Sequence, residues 1–502
     1  MRKKIEELSK KFYTDAPNRL EWILAGIAGF LIFFNLFYGD NITMFLSYFW
    51  NNTGLFNGNS LNFLGNNRLS YGIVQLWICE LWCLPVNILY KIKWFEPANV
   101  WTVLWYKSFI IIFFWLGIRE MVAISKKIGI EEKYRKWMIY IFATSVLVAL
   151  PTFHIAQSDT IYVYFLLKGL NAYLDDDYKK FVLFFALAID CKYMAVFMFI
   201  PLVLLREKRI LYIIRDAILG VIIIPLQIIW FKIVVWLDKL VFHSGEVIEK
   251  IDSVVSNETT TASNGMAAYA DKINTDNLGF MSHVYHKMLF FEVPAIRKEY
   301  AASILVVMFA LLCIWCFLRK RNADTRTRDA LYIGFVSMTL LFAWSSPNPY
   351  WIVAMYPVTF MMMYNNRKRL RINLLLEMGF SLTMFLIYLD SMPFVYGGTE
   401  NFLHMPLKDW FGLIPEHTFE TGPTVYGYIS KLGIPSLMPI IVAVCLACFI
   451  AWVIINYPGM DDKIDDDITE ESLIKFNHGV ALFQSVFLIL WFFLTFYCLS
   501  RY

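Results

Sequence analysis

Polar and charged side chains interrupt two apolar stretches in the first half of the chain. His154, Gln157 and Asp159 form a short polar break between apolar runs, and Asp190 and Lys192 lie within the apolar run 181–205. A positioned carboxylate can accept a proton, which typically contributes about 10²–10⁴-fold to a rate. A fixed cation can stabilise developing negative charge where little water competes. These five residues are therefore candidates for a functional site.

The composition indicates what kind of structure must position these residues. Of the 502 residues, 58% are hydrophobic, 18% are aromatic and only 17% are charged. Because one soluble core cannot bury so much apolar surface, we predict an all-α polytopic membrane protein that uses lipid as its solvent. The formal net charge of +4 is small and does not indicate nucleic-acid binding. The absence of a phosphate-binding glycine motif argues against an ATP-driven pump.

Apolar runs of spanning length mark the expected transmembrane helices. They lie at 20–38, 99–118, 137–153, 160–174, 210–236, 301–318, 329–345, 350–364, 372–390, 434–455 and 478–499. The run 181–205 is different, because Asp190 and Lys192 lie near its middle. Each ion at mid-bilayer would cost about 2.5–3.5 kcal/mol, so we expect two short helices that meet at this pair.

The stretch 71–90 decides the predicted topology. It is long enough to span the membrane, but it contains Gln75, Glu80 and a proline. Lysine and arginine cluster at 119–136, 206–209, 319–328 and 367–371. Such clusters favour the cytoplasmic side, and all four are cytoplasmic if 71–90 packs within the first external loop. We therefore predict about 13 crossings of the cell membrane and a cytoplasmic N-terminus. The alternative is a miscounted helix elsewhere.

This topology brings the candidate residues to the external face. The external loops are 39–98, 154–159, 190–192, 237–300, 345–350 and 391–433. The acidic turn at 175–177 falls on the cytoplasmic side instead, so we exclude its three aspartates from the site.

Short motifs in the first half resemble those of a known family. They are Asp40 after the first helix, His154-x-x-Gln157-x-Asp159, and the segment 188–201, which contains Asp190, Lys192 and a proline. Together they resemble the GT-C superfamily of membrane glycosyltransferases, most of all its bacterial branch related to the second mannosyltransferase of GPI-anchor synthesis. The resemblance covers about residues 20–236.

Two positions depart from the pattern of that family. Ala156 stands where the motif usually has glycine, and a single aspartate stands at position 40 where the family has an acidic pair. A divalent metal is compatible with such a site but is not expected here. We identify no metal ligands and no other cofactor.

The resemblance implies a GT-C-like fold of about 13 transmembrane helices, with interfacial helices in the first external loop. Residues 1–236 would form the shared module with its catalytic external loops. Residues 237–300 would form a long external loop that acts as a lid, unless that loop is an idle insertion. Residues 301–502 would supply variable C-terminal helices.

The resemblance also implies a reaction. A hexose would move from a polyprenyl-phosphate carrier among the membrane lipids to a cell-envelope glycan or glycolipid, by a single displacement that inverts the anomeric carbon. Asp40 would be the catalytic base, and Lys192 would stabilise the departing phosphate. The residues expected to bind substrate are Lys192, Asp159, Gln157, Arg68, His154 and Asp190.

Each candidate residue also has a structural interpretation. Asp159 precedes an apolar run and is a candidate helix N-cap. Lys192 can extend its ammonium to the membrane surface, His154 is more simply an interfacial histidine, and Arg68 is equally suited to binding lipid head groups. Asp190 and Lys192 together could have a structural role.

The alternative function for the whole protein is a secondary transporter or a lipid-linked oligosaccharide flippase. In such a protein, intramembrane charges would form the translocation path. Two features of the sequence argue against it: we find no internal repeat, and the unusual charges are predicted to lie at one face.

Overall fold

The computed structural model describes the following parts of the chain. The described residues are 13–36, 72–91, 99–226, 229–230, 233, 290–292, 301–320, 323–343, 349–391, 400–403, 407, 410, 427, 430–459 and 469–500.

These residues form mainly α-helices. The helices are α1 Arg19–Phe33, α2 Ile73–Lys91, α3 Val100–Lys127, α4 Glu132–Thr144, α5 Val146–Ala149, α6 Asp159–Leu174, α7 Tyr178–Cys191, α8 Val196–Arg206, α9 Ile210–Val221, α10 Ile304–Leu318, α11 Ala323–Ala343, α12 Tyr356–Asn365, α13 Leu370–Ser391, α14 Met438–Ile455 and α15 Glu470–Ser500. A π-helical turn follows α5 at Leu150–His154, and 3₁₀ turns lie at Tyr193–Ala195, Pro349–Ala354, Arg367–Arg369 and Ile434–Leu437.

Two pairs of short strands are present among the described residues, and one of them joins segments that are distant in the sequence. Strand β1, Asn35–Leu36, pairs antiparallel with β4, Glu400–Asn401. Strand β2, Phe290–Glu292, pairs antiparallel with β3, Ala301–Ser303, which leads directly into α10. Each strand is only two or three residues long, so the architecture of the described residues is helical.

Several helices have the length and composition of membrane spans. Within the described residues, four are long and apolar enough to cross a membrane: Val100–Lys127, Arg367–Asp390, Ile434–Ile455 and Glu470–Cys498. A fifth is added if α4 and the bent segment Val146–His154 together make one span. The prediction of an α-helical membrane protein is confirmed at this level.

The expected span at 137–153 is not one straight helix. The chain bends by 64° between α4 and Val146–His154, and Ser145 at the bend has non-helical angles (φ −58°, ψ 133°). Its hydroxyl donates to Glu377 Oε1 of α13 at 2.8 Å. A side-chain hydrogen bond to a neighbouring helix thus accompanies a break that apolar periodicity does not reveal.

Helix α2 corresponds to the stretch 71–90, on which the predicted topology depends. Its apolar part, Ile73–Val86, is shorter than a membrane span. It packs on α3, where Trp82 Nε1 donates to the Trp105 carbonyl at 3.1 Å and Trp105 Nε1 donates to the Trp82 carbonyl at 2.9 Å. The indoles stack at 4.8 Å between centroids. These contacts fit a helix held against the bundle, and its place within an external loop stays a prediction.

Helices α6 and α7 form an antiparallel pair with close contact along its length. Gly169 of α6 faces the Phe185 ring of α7 so closely that a Cβ at position 169 would meet ring carbon Cδ2 at 2.5 Å. The pair is joined by the acidic turn at 175–177. Residues before α6 and after α7 therefore lie at one end of this pair, and the acidic turn lies at the other.

The acidic turn is an ion-pairing centre. Asp175 pairs with Lys127 at 2.5 Å, and Asp176 pairs with Arg206 at 3.7 Å and also with Arg326. The three basic partners come from three of the four basic clusters in the sequence. These clusters therefore lie together at the end of the bundle opposite the candidate site.

The fourth basic cluster joins the same end of the molecule. Arg367 pairs with Glu131, at the start of α4, at 2.7 Å. Since Glu131 belongs to the first basic region, all four clusters meet at this end, which we call the basic end. The predicted topology requires this grouping.

Candidate functional site

The polar break before α6 is a change of helical geometry. Residues Leu150–His154 form a π-helical turn in which the Ile155 N–H donates to the Leu150 carbonyl at 3.0 Å. Ala156 then adopts a left-handed conformation with φ of 54°, and the Gln157 N–H donates to the Pro151 carbonyl at 3.0 Å. Such π-helical turns occur frequently at functional sites. In the GT-C motif that this segment resembles, glycine usually stands at the position of Ala156. Glycine adopts this conformation without strain.

The second break lies at Lys192, as predicted. Helix α7 ends at Cys191, Lys192 is extended (φ −156°, ψ 118°), and a 3₁₀ turn leads into α8. The expectation of two short helices that meet at this point is confirmed. The extended residue turns its side chain away from the course of either helix, because the backbone does not continue in the helical direction.

The two breaks meet through an ion pair. Lys192 Nζ donates to Asp159 Oδ1 at 2.5 Å, and the two side chains are only 3% and 0% exposed. The ammonium also lies 4.4 Å from the Trp351 ring centroid and 5.7 Å from that of Tyr162. The surface-directed interpretation of Lys192 is therefore wrong, since its charged group is enclosed by a carboxylate and aromatic rings.

The N-cap interpretation of Asp159 is also wrong. Asp159 is the first residue within α6, and Ser158 occupies the N-cap position without a side-chain capping bond. The Asp159 carboxylate bonds Lys192 instead. It still lies at the positive end of the helix dipole, where negative charge is favoured.

Asp190 has a different partner from Lys192. Its Oδ2 accepts from the Val74 N–H at the start of α2, at 2.9 Å. A Cβ on Gly72 would overlap the Asp190 carbonyl. The start of α2 can therefore approach the end of α7 only because position 72 is a glycine.

Several buried polar groups around these breaks make no hydrogen bond within the part of the chain that the structure describes. They are both ring nitrogens of His154, the side-chain amide of Gln75, the hydroxyls of Thr152, Ser158 and Thr160, and Asp190 Oδ1. Each such group would cost about 1–3 kcal/mol if it stayed unsatisfied. The interfacial interpretation of His154 is wrong, because its side chain is fully buried.

Gln157 is buried beside the same ion pair. Its side chain is 0% exposed, and its amide makes no hydrogen bond to the other described residues. The motif at 154–159 and the segment at 190–192 are thus brought together, as the sequence predicted.

Lys107 is a buried cation that sequence reasoning missed. It lies on α3 and is 1% exposed, and its Nζ donates to the carbonyls of Phe33 and Asn35 at 2.6 Å each. The Phe33 carbonyl belongs to the C-terminal end of α1, and the Asn35 carbonyl belongs to strand β1. The signal in the sequence was a lysine within the apolar run 99–118, where ionisable residues are costly and seldom without a role.

The segment after α1 is held by further contacts. Asn35 Nδ2 donates to Thr495 Oγ1 of α15 at 3.2 Å, and Asn35 Oδ1 accepts from Asn401 Nδ2 at 2.6 Å. Lys107, Thr495 and Asn401 therefore bind the same short segment from three directions. That segment precedes Asp40 in the chain by a few residues.

No family model, curated protein or solved structure matches this chain. What can be said of its function therefore comes from the residues and their geometry.

Two of the predicted site residues, Asp40 and Arg68, lie outside the described residues, as does most of the loop expected to act as a lid. Among the residues that the structure describes, no group of three or more His, Cys, Asp and Glu side chains is arranged to hold a metal ion. Of the residues predicted from the sequence, the described part of the site therefore contains one cation, Lys192, two carboxylates, Asp159 and Asp190, and the neutral side chains of His154 and Gln157.

Proposed function

We propose that this protein is an integral membrane glycosyltransferase of GT-C type. It moves a hexose from a polyprenyl-phosphate carrier to a cell-envelope glycan or glycolipid at the external face. The observation that carries this proposal is the buried Lys192–Asp159 pair, which lies among polar side chains that have no hydrogen-bond partner within the described residues. A polar, anionic substrate such as a sugar phosphate would satisfy both features.

The reaction needs one cation and one base. A bond forms between the acceptor oxygen and the anomeric carbon, while the bond between that carbon and the phosphate oxygen breaks. The acceptor proton passes to Asp40, and the polyprenyl phosphate leaves as an anion beside Lys192. Because attack and departure occur on opposite faces of the sugar, the anomeric configuration inverts.

The surroundings of Lys192 suit this role. Asp159 fixes the ammonium at 2.5 Å, so in this proposal Asp159 is a positioning residue rather than a catalytic one. A preorganised cation in a site with little water stabilises a departing anion better than a mobile surface lysine does. Gln157, His154 and Asp190 would supply hydrogen bonds to sugar hydroxyls, and Arg68 would contact the phosphate or its lipid surroundings.

The proposed topology has about 13 crossings with a GT-C-like arrangement. Four or five spans are evident from length and composition within the described residues. The other crossings would be made by α1, α6–α9 and α10–α12, which are not among these candidate spans. Under this proposal the basic end is cytoplasmic, and the candidate site is external.

A transfer assay tests the function. Purified protein in liposomes receives polyprenyl-phosphate hexoses and an acceptor extract, and release of polyprenyl phosphate is measured. We expect Lys192→Met to lower transfer by about 10²–10³-fold, as is typical when a fixed group that stabilises an anion is removed. We expect Asp40→Asn to lower it by about 10²–10⁴-fold.

A matched lysine controls for loss of charge. Lys168 lies on α6 nearer the basic end, and its nearest carboxylate is Glu120 at 3.6 Å. Lys168→Met should leave transfer within about twofold. Full transfer by Asp40→Asn would refute the base assignment, and equal losses for Lys168→Met and Lys192→Met would refute the site.

One observation favours the alternative function of a transporter or flippase. Glu377 is a buried carboxylate within α13, and it accepts hydrogen bonds from Ser145 at 2.8 Å, Ser381 at 2.7 Å and Gln484 at 3.3 Å. Buried acids between helices occur in translocation paths. If wild-type protein releases no polyprenyl phosphate but moves solute or lipid-linked sugar across liposomes, and Glu377→Gln stops that movement, the transporter assignment replaces the enzyme.

A further inference from the structure

Glu377 is a carboxyl group buried inside the membrane-spanning part of α13. Its side chain is 0% exposed, and it belongs to the candidate span Arg367–Asp390. It follows Arg371 by six residues, which places it about 9 Å further along the helix. An ionised carboxylate at such a depth is costly unless a cation balances it. The chemical state of this group therefore depends on its partners.

The hydrogen-bond partners of Glu377 are neutral. Ser145 and Ser381 donate to its Oε1 at 2.8 and 2.7 Å, and the Gln484 amide lies 3.3 Å from its Oε2. Within the described residues it forms no ion pair. The buried carboxylate of Asp329 is different, because both of its oxygens accept from Arg319 at 2.7 Å.

The hydrogens of this cluster are matched best when Glu377 carries a proton. Thr144 Oγ1 lies 2.9 Å from the Tyr140 carbonyl and 2.8 Å from Gln484 Oε1, but a hydroxyl has only one hydrogen to donate. If the Gln484 amide is reversed, its NH₂ donates to Thr144, and Thr144 donates to the carbonyl. The Gln484 oxygen then faces Glu377 Oε2. A protonated carboxyl supplies the hydrogen between these two oxygens, and its Oε1 still accepts from both serines.

The titratable groups of α12 and α15 do not supply this hydrogen. The hydroxyl of Tyr356 on α12 lies 2.7 Å from Ser381 Oγ, so it reaches the carboxyl only through that serine. Tyr364 on the same helix donates to an asparagine of α15 at 3.4 Å. His478 of α15 is bonded to a glutamate of α1 at 2.6 Å.

The groups of α4, α14 and the basic turn before α13 also bond elsewhere. The hydroxyl of Tyr140 on α4 donates to a backbone carbonyl of α1 at 2.8 Å. The cysteine Cys448 of α14 lies against Gly379. Arg369 in the basic turn donates to a backbone carbonyl of α14. Among the described residues, the carboxyl therefore has only neutral neighbours within hydrogen-bond distance.

A small cavity connects this cluster with the outer face of the bundle. Its volume is about 20 Å³, which is enough for one water molecule. Leu382 and Phe483 in its wall are 40% and 45% exposed. The lining residues are Val146, Glu377, Met378, Ser381, Leu382, Phe385, Phe483, Gln484 and Phe487. A water molecule in this cavity can exchange a proton with the carboxyl.

We propose that Glu377 is a proton-binding site within the membrane, which holds one proton on Oε2 at neutral pH and exchanges it through this cavity. Ser145 lies at the bend between α4 and α5, and Val146, the first residue of α5, lines the cavity. The proton is thus held where the bent segment begins that leads to the π-helical turn of the candidate site. Its release leaves a buried negative charge at the bend. The site does not depend on the proposed sugar transfer.

Infrared spectra of the purified full-length protein in detergent test this site. At neutral pH, the spectrum of wild type minus that of Glu377→Gln should show the carbonyl stretch of one protonated carboxyl. The same band should move to lower frequency in D₂O. The matched control is Asp329→Asn, whose difference spectrum should show carboxylate bands only, because Arg319 keeps Asp329 ionised.

Three spectroscopic results would overturn the proposal. The first is the absence of a protonated-carboxyl band in the Glu377→Gln difference spectrum. The second is a band that does not move in D₂O, since the proton would then not exchange through the cavity. The third is loss of the band when sodium ions are added, which would place a metal cation where the proton is proposed.

Thermal unfolding provides an independent measurement. A glutamine side chain has an acceptor oxygen and an NH₂ donor, so Glu377→Gln reproduces the hydrogen bonds of the protonated carboxyl. We expect its melting temperature to stay within about 2 °C of wild type. Asp329→Asn should melt several degrees lower, because it leaves Arg319 without its carboxylate. An equally large fall for Glu377→Gln would show that the native group is a carboxylate and would overturn the proposal.

Discussion

Asp190 and Lys192 are separated by one residue, yet their charged groups are held by different elements. Asp190 accepts from the backbone of α2 at Val74, whereas Lys192 pairs with Asp159 at the start of α6. This division follows from the end of α7 at Cys191, because the extended Lys192 points away from its helical neighbours. A charged pair in the sequence is thus two separate junctions in the structure.

The Lys192–Asp159 junction should be strongly coupled. Removing one partner of a buried pair leaves an uncompensated charge and typically costs about 3–5 kcal/mol. We therefore expect Lys192→Met to lower stability by about that amount. The double variant with Asp159→Asn should be more stable than Lys192→Met alone. Thermal unfolding of all three proteins in detergent measures the coupling, and additive losses would show that the two side chains do not interact.

Gly72 should be needed for the junction between α2 and α7. A methyl group at position 72 would overlap the Asp190 carbonyl, so Gly72→Ala should displace α2 and lower stability by about 1–3 kcal/mol. Gly479→Ala is the control, since its Cβ would meet nothing within 4 Å. Thermal unfolding that ranks Gly479→Ala below Gly72→Ala would contradict this account.

Ala156 should tolerate or prefer glycine. The left-handed conformation destabilises a residue that has a Cβ by about 1–2 kcal/mol. Glycine avoids this strain, but the greater entropy of glycine in the unfolded chain lowers the stability of the fold by about 0.5–1 kcal/mol. We expect Ala156→Gly to be neutral or to stabilise by up to about 1 kcal/mol. Ala172→Gly, within α6, should destabilise by about 1 kcal/mol. Equal melting shifts for the two variants would argue against the left-handed conformation at Ala156.

Lys107 should stabilise the end of α1. Lys107→Met leaves the Phe33 and Asn35 carbonyls buried without this donor, at a cost of about 1–3 kcal/mol for each group. Lys107→Gln keeps a donor and should lose less. Lys127→Met at the other end of α3 breaks a partly exposed pair and should cost at most about 1 kcal/mol. If Lys127→Met proves the more harmful in thermal unfolding, the role given to Lys107 is wrong.

Single-cysteine labelling should reveal the orientation. In a background without native cysteines, cysteines placed at Glu131, Asp176 and Lys368 should react with an impermeant maleimide only after the cells are permeabilised. A cysteine at Ser303, before α10, should react in intact cells. If the first three cysteines react in intact cells, the predicted orientation is reversed. If only some of the three react, they do not all lie at the basic end.

The sequence alone determined the class of the protein and the approximate positions of its helices. Its apolar content requires lipid, and charge inside the run 181–205 made a break at Lys192 energetically necessary. The same reasoning placed the polar break at 154–159, because polar groups concentrate where helices end.

Only the tertiary structure decided which groups meet. Apolar periodicity gave no sign of the bend at Ser145, since a distant carboxylate, Glu377, binds its hydroxyl. Sequence proximity suggested that Asp190 belongs with Lys192, but the approach of α2 past Gly72 gave Asp190 another partner. Lys107 was overlooked because its partners are backbone carbonyls. Every residue has a backbone carbonyl, so the sequence does not show which of them lie next to the lysine in the folded protein. Local physical chemistry fixes where a helix ends, whereas long-range packing determines which partners the buried polar groups bind.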